Sequence, residues 1–214
     1  MQRKLHDPEK TRKNILDVAF QEIYHRGFQG VSINDIVSKT ELTKGAFFHY
    51  FPTKNDLVYA IVDEMLKEMI LERWIRPLAA YQNPVLGIIT RFKKIIENTP
   101  DQSIQYGCPL NNLTQEMSAV DPVLREKMRT VLNLWIDETE KYLKIAQERG
   151  YLGKKASARE VAEFVVMVEE GSFALVKNLR DKQVYWSLFN SLKQYLESLS
   201  EKQELVAKTS VKSK

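Results

Sequence analysis

Two helix-start signals stand close together near the N-terminus, and the segment opened by the second is too short to be stable alone in water. Ser32 precedes Ile33, Ile36 and Val37 with Asp35 placed to complete a capping box. Thr43 is the second N-cap, and it opens KGAFFHYF, which runs to Phe51. A core-facing helix needs only one apolar stripe. This one has aromatics on nearly every side, so something other than a protein core must meet its remaining faces.

An earlier helix completes the pattern. Asp7 caps it, Pro8 suits its first turn, Glu9 opposes the N-terminal dipole, and Gly27 stops it. Ile15, Ala19 and Ile23 share one face, with Leu16 and Phe20 beside them. Three helices in this compass, the last two joined by a short turn, make a helix-turn-helix pattern. Phe47 and Phe51 lie on the side that packs inward, and Gly45, Ala46 and His49 lie roughly opposite, with Phe48 and Tyr50 on the flanks. Glycine inside a helix costs about 1 kcal/mol relative to alanine. A small-residue pair at the start of a second helix offsets that if the helix enters a DNA major groove, with Lys44 and Lys54 reaching phosphates.

These residues carry a resemblance. The run from Pro8 to Leu57, ending TKGAFFHYFPTKNDL, strongly resembles the DNA-binding domain of the tetracycline-repressor (TetR) family. The resemblance implies that Ser32 and Thr43 cap the second and third helices near phosphates. It also implies that Lys44, Gly45, Ala46 and His49 face base edges, and that Tyr50 and Lys54 grip the backbone. Phe48 stands where the family usually has Tyr, so a hydroxyl contact to phosphate is absent, and Ala46 replaces the commoner Ser or Thr. Ala46 can offer a methyl contact, for instance to thymine.

The rest of the chain reads as long helices, so the expected fold is all-α with about nine helices. Residues 8–55 would form the DNA-binding domain (helix-turn-helix about 32–51), 56–200 a helical effector-binding and dimerisation domain, and 201–214 a basic flexible tail. One helix runs from about Thr53 towards Trp74, another follows Pro84, and Asp121 and Pro122 open a long one that Gly150 and Gly153 close. Ser157 and Glu160 read as a further capping box. The helix they open contains VAEFVVMVEEGSFALVK, apolar around nearly its whole circumference. Such a helix must be covered on all sides. A partner subunit can supply that cover, with Phe164, Val168, Phe173, Trp186, Phe189 and Tyr195 as expected contacts; an ordinary intrachain core is the alternative. A two-fold dimer implies a roughly palindromic operator.

The middle helices are expected to enclose an apolar effector cavity, with Phe92, Leu110, Leu113, Met117, Trp135, Met167 and Phe173 as candidate lining residues, though plain core is the stronger reading for any one of them. YGCPLNNLTQEMS places the one cysteine, Cys108, at a helix start, where the dipole would favour the thiolate. This segment resembles a subgroup of the family that senses reactive electrophiles or oxidants; the other reading is a buried structural cysteine. Glu169 and Glu170 interrupt the apolar helix. They either reach a cavity, where they would attract a cationic or hydroxylated ligand, or pair with polar groups and water.

Function classes narrow accordingly. One cysteine forms no internal disulfide, no apolar run spans a bilayer, and the N-terminus lacks a signal peptide's apolar core, so the cytoplasm is the expected home. His6, His25 and His49 do not combine with Cys108 into a nucleophile–base set, and there is no metal-spaced cluster or Gly-rich phosphate loop. No enzymatic activity, cofactor or metal is therefore expected. The basic stretch Arg3, Lys4, Lys10, Arg12 and Lys13 is either a DNA-reaching arm or a solvated leader. The resemblance implies a repressor released from double-stranded operator DNA by a small-molecule effector. An activator of the same family, or a helical interaction protein without an operator, are the alternatives.

Overall fold

In the computed structural model, residues 7–200 are described. Arg3, Lys4 and the basic tail 201–214 lie outside the described residues. Helix α1 (Pro8–Arg26) starts where Asp7 accepts hydrogen bonds from the amides of Glu9 and Lys10, and it ends at Gly27, whose φ of 80° favours glycine. The next turn leads to α2 (Ile33–Val37), closed at its N-terminus by the reciprocal Ser32–Asp35 box. Helix α3 (Lys44–Tyr50) starts on Thr43.

A second box, between Thr53 and Asp56, opens α4 (Lys54–Ala60). The chain then continues without a break through a π-helical stretch (Ile61–Leu66), α5 (Lys67–Ile70), a second π-helical stretch (Leu71–Ile75) and a 3-10 turn (Arg76–Ala80) that absorbs Pro77. The expected helix towards Trp74 is therefore present, but with wide turns that no hydrophobic period announces. Then follow α6 (Pro84–Asn98), α7 (Pro109–Met117), α8 (Pro122–Glu148), α9 (Ala158–Leu179) and α10 (Lys182–Ser198). Among the described residues there is no strand, and with α4 and α5 running as one rod the all-α expectation of about nine helices is met. Ser157 forms half of its expected box: its hydroxyl accepts from the Glu160 amide.

Packing divides the chain into two compact units. One takes in the chain through Glu68 together with Cys108–Val131; the other is Met69–Gly107 with Leu132 onward. In the first, α1 packs on α2 and α4, α2 packs on α3, and α7 packs on the π-helical stretch Ile61–Leu66. Ile15, Ile36, Phe47, Leu57, Ile61, Leu66 and Leu110 are all fully buried there. In the second, α10 packs on α6 and α9. Trp74 lies 5.3 Å from Trp135 and 5.6 Å from Phe92, centroid to centroid, and Phe92 lies edge-on to Tyr185 at 5.7 Å.

One acid sits in this aromatic core. Tyr185 Oη donates to Glu169 Oε1 at 2.7 Å, and Glu169 Oε2 is buried with no hydrogen-bond partner. Burial pushes its carboxyl up to about 8 from an ordinary 4.5, against the opposing influences of Tyr185 and Arg73. Between those values the native protein holds a proton that the unfolded chain has released. Glu169 therefore subtracts stability progressively as pH rises from about 4.5 to about 8. Urea unfolding of wild type and Glu169→Gln across that window should give curves that converge at the acid end and separate towards pH 8, with the variant the more stable.

Candidate nucleic-acid interface

Helix α3 owes its existence to one cap and one anchor. Thr43 Oγ1 accepts from the Ala46 amide at 3.2 Å. Phe47 is fully buried, with Phe51 at 6.2 Å on the same side and the Arg12 guanidinium over the Phe51 ring at 5.2 Å. With that face fixed, Lys44, Gly45, Phe48 and His49 are exposed, and Ala46 and Tyr50 are half-buried. A methyl group added at Gly45 would meet nothing within 4 Å, so the backbone there is bare to whatever approaches. Among the described residues, Lys44 has no ion pair.

Two expected phosphate contacts are already engaged. The Ser32 hydroxyl donates to Asp35 Oδ2 at 2.6 Å and the Ser32 amide donates to the same oxygen at 2.7 Å, and these bonds hold the Asp35 carboxyl down at about 2. An anionic carboxylate therefore stands beside Ser32. Lys54 is half-buried: its ammonium donates to the Phe28 carbonyl and lies 4.1 Å over the Phe28 ring, and desolvation lowers its pKa. Lys54 is a fastener of the α1–α2 turn before it is anything else, which corrects its reading as a backbone grip alone.

That turn is held from the other side by Glu116, which the sequence pattern did not single out, and α4 is held by Asp121, which the pattern marked only as a helix start. The Glu116 carboxylate of α7 accepts from the amides of Phe28 at 2.9 Å and Gln29 at 2.7 Å. Asp121 accepts from Tyr59 Oη at 2.9 Å, from Asn55 Nδ2 at 3.1 Å, and from the Leu124 amide at the start of α8. The available signal was weak: Glu116 stands out only as an acid in the last turn of an otherwise neutral helix, where its charge adds unfavourably to the negative end of the dipole.

The expected effector residues do not all gather. Cys108, Leu110 and Met117 belong to the first unit, and Trp135, Met167 and Phe173 to the second. Leu110 and Met117 are core, and Gln29 Nε2 reaches Met117 Sδ at 3.8 Å. Trp135 is joined through Trp74 and Phe92 to Tyr185, and Phe173 lies 5.4 Å from that ring. Met167 is 59% exposed and points away from the core, which corrects its place in a cavity wall: α9 turns it to the outer face with Leu175. Cys108 is 5% exposed, whereas reactive cysteines sit in partly exposed surroundings. Of the expected interface residues, Phe164, Val168, Trp186 and Tyr195 are half-exposed, with Phe164 and Tyr195 stacked edge-on at 4.7 Å. Phe189 is a correction: it is covered by its own chain, 6.0 Å from Phe92 and 5.7 Å from Trp186.

A family model for bacterial regulatory proteins of the tetR family matches residues 15–61, and one for the tetracyclin repressor-like C-terminal domain matches residues 85–192. The chain belongs to the TetR family. An HTH-type transcriptional regulator from the lacX 3′ region of Lactococcus lactis subsp. lactis is 30% identical, over 90% of this chain and 96% of that protein. The HTH-type transcriptional repressor DhaR of Mycobacterium sp. strain GP1 is 24% identical, over 81% and 85%. A TetR-family regulator from Cytophaga hutchinsonii, 20% identical, shares the fold with a TM-score of 0.81 over 94% of this chain and all of that one. This TetR-family regulator has, among its described residues, no helix long and apolar enough to cross a membrane and no cluster placed to hold a metal ion.

Gly45→Ala separates recognition from folding. It should raise thermal stability by up to about 1 kcal/mol through helix propensity, yet weaken DNA binding in a gel-shift titration, because the added methyl projects from the bare face. Lys44→Ala and Lys54→Ala should part in the same assays. The first should leave unfolding unchanged, and the second should lower stability by about 1–2 kcal/mol through loss of its contacts to Phe28.

Proposed function

We propose that this chain is a homodimeric repressor that binds a two-fold operator through α3 and leaves it when a small-molecule effector binds the helical domain. Residues 8–55 serve as the DNA-reading domain and residues 56–200 as the effector and dimer domain of a cytoplasmic, non-enzymatic protein. The observation that carries the reading is the outer face of α3, where Lys44, Gly45, Ala46, Phe48 and His49 stand clear of a helix pinned by Phe47. The repressor name of the DhaR relative supports the sign of regulation.

Direct readout falls to Lys44, Gly45, Ala46 and His49, while Thr43 and Tyr50 flank the groove and position α3 on the backbone. Dimerisation uses the outer faces of α9 and α10. Phe164, Val168, Trp186 and Tyr195 are joined there by Met167 and Leu175, and Gly171 offers a flat spot where a side chain would meet nothing within the subunit. Effector binding acts by favouring a conformation in which the α1–α2 turn is held differently; Glu116 is the contact through which α7 reaches that turn, and Asp121, at the start of α8, reaches α4 through Tyr59 and Asn55.

Selection of bound duplexes from a random DNA pool by the purified protein tests this. Enrichment of a palindrome is the expected outcome, with preferences that Ala46 or His49 substitutions shift by about 1–3 kcal/mol per base position. A folded, dimeric protein that enriches nothing would sink the reading.

A further inference from the structure

The second unit holds a polar group that its own contacts leave incomplete. Glu169 is 1% exposed; Tyr185 occupies one carboxyl oxygen and nothing occupies the other. A buried polar atom without a partner costs about 1–3 kcal/mol, and such atoms call for an explanation when they persist. The surroundings are aromatic: Tyr185 touches Phe92 and Phe173, and Phe92 leads on to Trp74. Charge is sparse. Arg73, from the π-helical stretch Leu71–Ile75, exerts an attractive influence on the carboxyl, and Glu170, on its own helix, a repulsive one.

We propose that Glu169 is the recognition group of the effector site, and that the effector is an uncharged, ring-bearing molecule with an acceptor oxygen that takes a hydrogen bond from Glu169 Oε2. The proposal rests on the effector-regulated reading above and names the class of effector. With Oε1 accepting from Tyr185, the proton of the neutral acid sits on Oε2, so the unfilled position is a donor seeking an acceptor. The acid is neutral near pH 7 because burial holds its pKa up at about 8. Aromatic rings supply flat apolar walls for a planar ligand. Phe173, one helical turn on from Glu169 and 5.4 Å from the Tyr185 ring, is half-exposed, whereas Phe92 and Tyr185 are fully buried. Trp74 and Trp135 report occupancy by fluorescence.

The test titrates the full chain with two neutral aryl ketones, acetophenone and benzophenone, against cumene, which lacks the acceptor, and α-methylbenzylammonium, which is cationic. Binding is read by tryptophan fluorescence and calorimetry. The ketones should bind wild type, and Glu169→Leu should weaken them about tenfold. Glu169→Gln retains an N–H donor and should bind ketones with no pH dependence. In wild type, affinity should fall as pH rises through about 8, where the carboxyl loses its proton. Three results would overturn the proposal: no ketone binding, equal binding by Glu169→Leu, or preference for the ammonium with affinity rising with pH. Operator binding is measured in parallel without ligand. Loss of ketone recognition with a working operator defeats this inference alone. Absence of any operator defeats the repressor reading and leaves the titration interpretable.

Discussion

The α1–α2 turn contributes no regular backbone ladder, so its amide groups need partners from elsewhere. Two of them, at Phe28 and Gln29, are taken by the single carboxylate of Glu116, and the Phe28 carbonyl is taken by Lys54. This knot fixes the turn that leads into α2, the helix on which α3 packs. Gly27 turns the chain with a positive φ and leaves room for the carboxylate, whose oxygens would lie 3.3 Å from any Cβ there. At Gly30 the Arg26 carbonyl approaches so closely that a Cβ would sit 2.4 Å from it. The turn is thus over-determined by backbone geometry and by two ionic partners. A helix of the C-terminal part of the chain thereby has a direct hold on the DNA-reading end.

Much of this was legible in advance, and the reasons are local. Asp7, Ser32, Thr43, Thr53 and Ser157 each mark a helix start because a short polar side chain can reach only amides close behind it in the chain. Phe47 as anchor and Gly45 as bare spot follow from a helix too short to hide both faces. Long-range partners were not legible. Nothing in an i to i+4 pattern says that Glu116 meets Phe28, or that Lys54 turns back to that same residue. Met167 was misplaced because, in a helix apolar nearly all round, periodicity cannot say which side its own chain covers; Phe189 was misplaced because a helix's apolar stripe does not say whether its own chain or a partner covers it. The π-helical stretches were equally invisible, since they change the phase of a helix without changing its composition.

Helix α9 combines two unlike surfaces. Its outward side carries Met167, Gly171 and Leu175, apolar and flat. Its inward side carries Glu169, Ser172 and Val176, all buried, with Ser172 folded back onto the Val168 carbonyl. An element that sets an acid and a hydroxyl among the buried alanines and valines of its inward side, and exposes Met167 and Leu175 on its outward side, is poorly optimised for a lone subunit. It makes sense if both faces are completed by something else, a second protein surface on one side and a ligand on the other. One helix then connects the two events.

The ion pairs of the N-terminal helices have a further consequence. Arg12 is clasped by Glu64, Lys13 by Asp17, and Arg26 and Lys39 by Glu22, whose carboxyl is held low mainly by Lys39. These cations already have counter-charges within the protein, so a DNA phosphate that recruits one must first displace an acid. Nucleic acid binding normally gains from counterions shed by the duplex, in proportion to the cations that newly neutralise phosphates. These paired cations contribute to that gain only if the pairs open, whereas Lys44, exposed and without an ion pair among the described residues, contributes without that cost. The entropy of released salt on this face therefore comes first from Lys44, and complementarity at α3 adds to it.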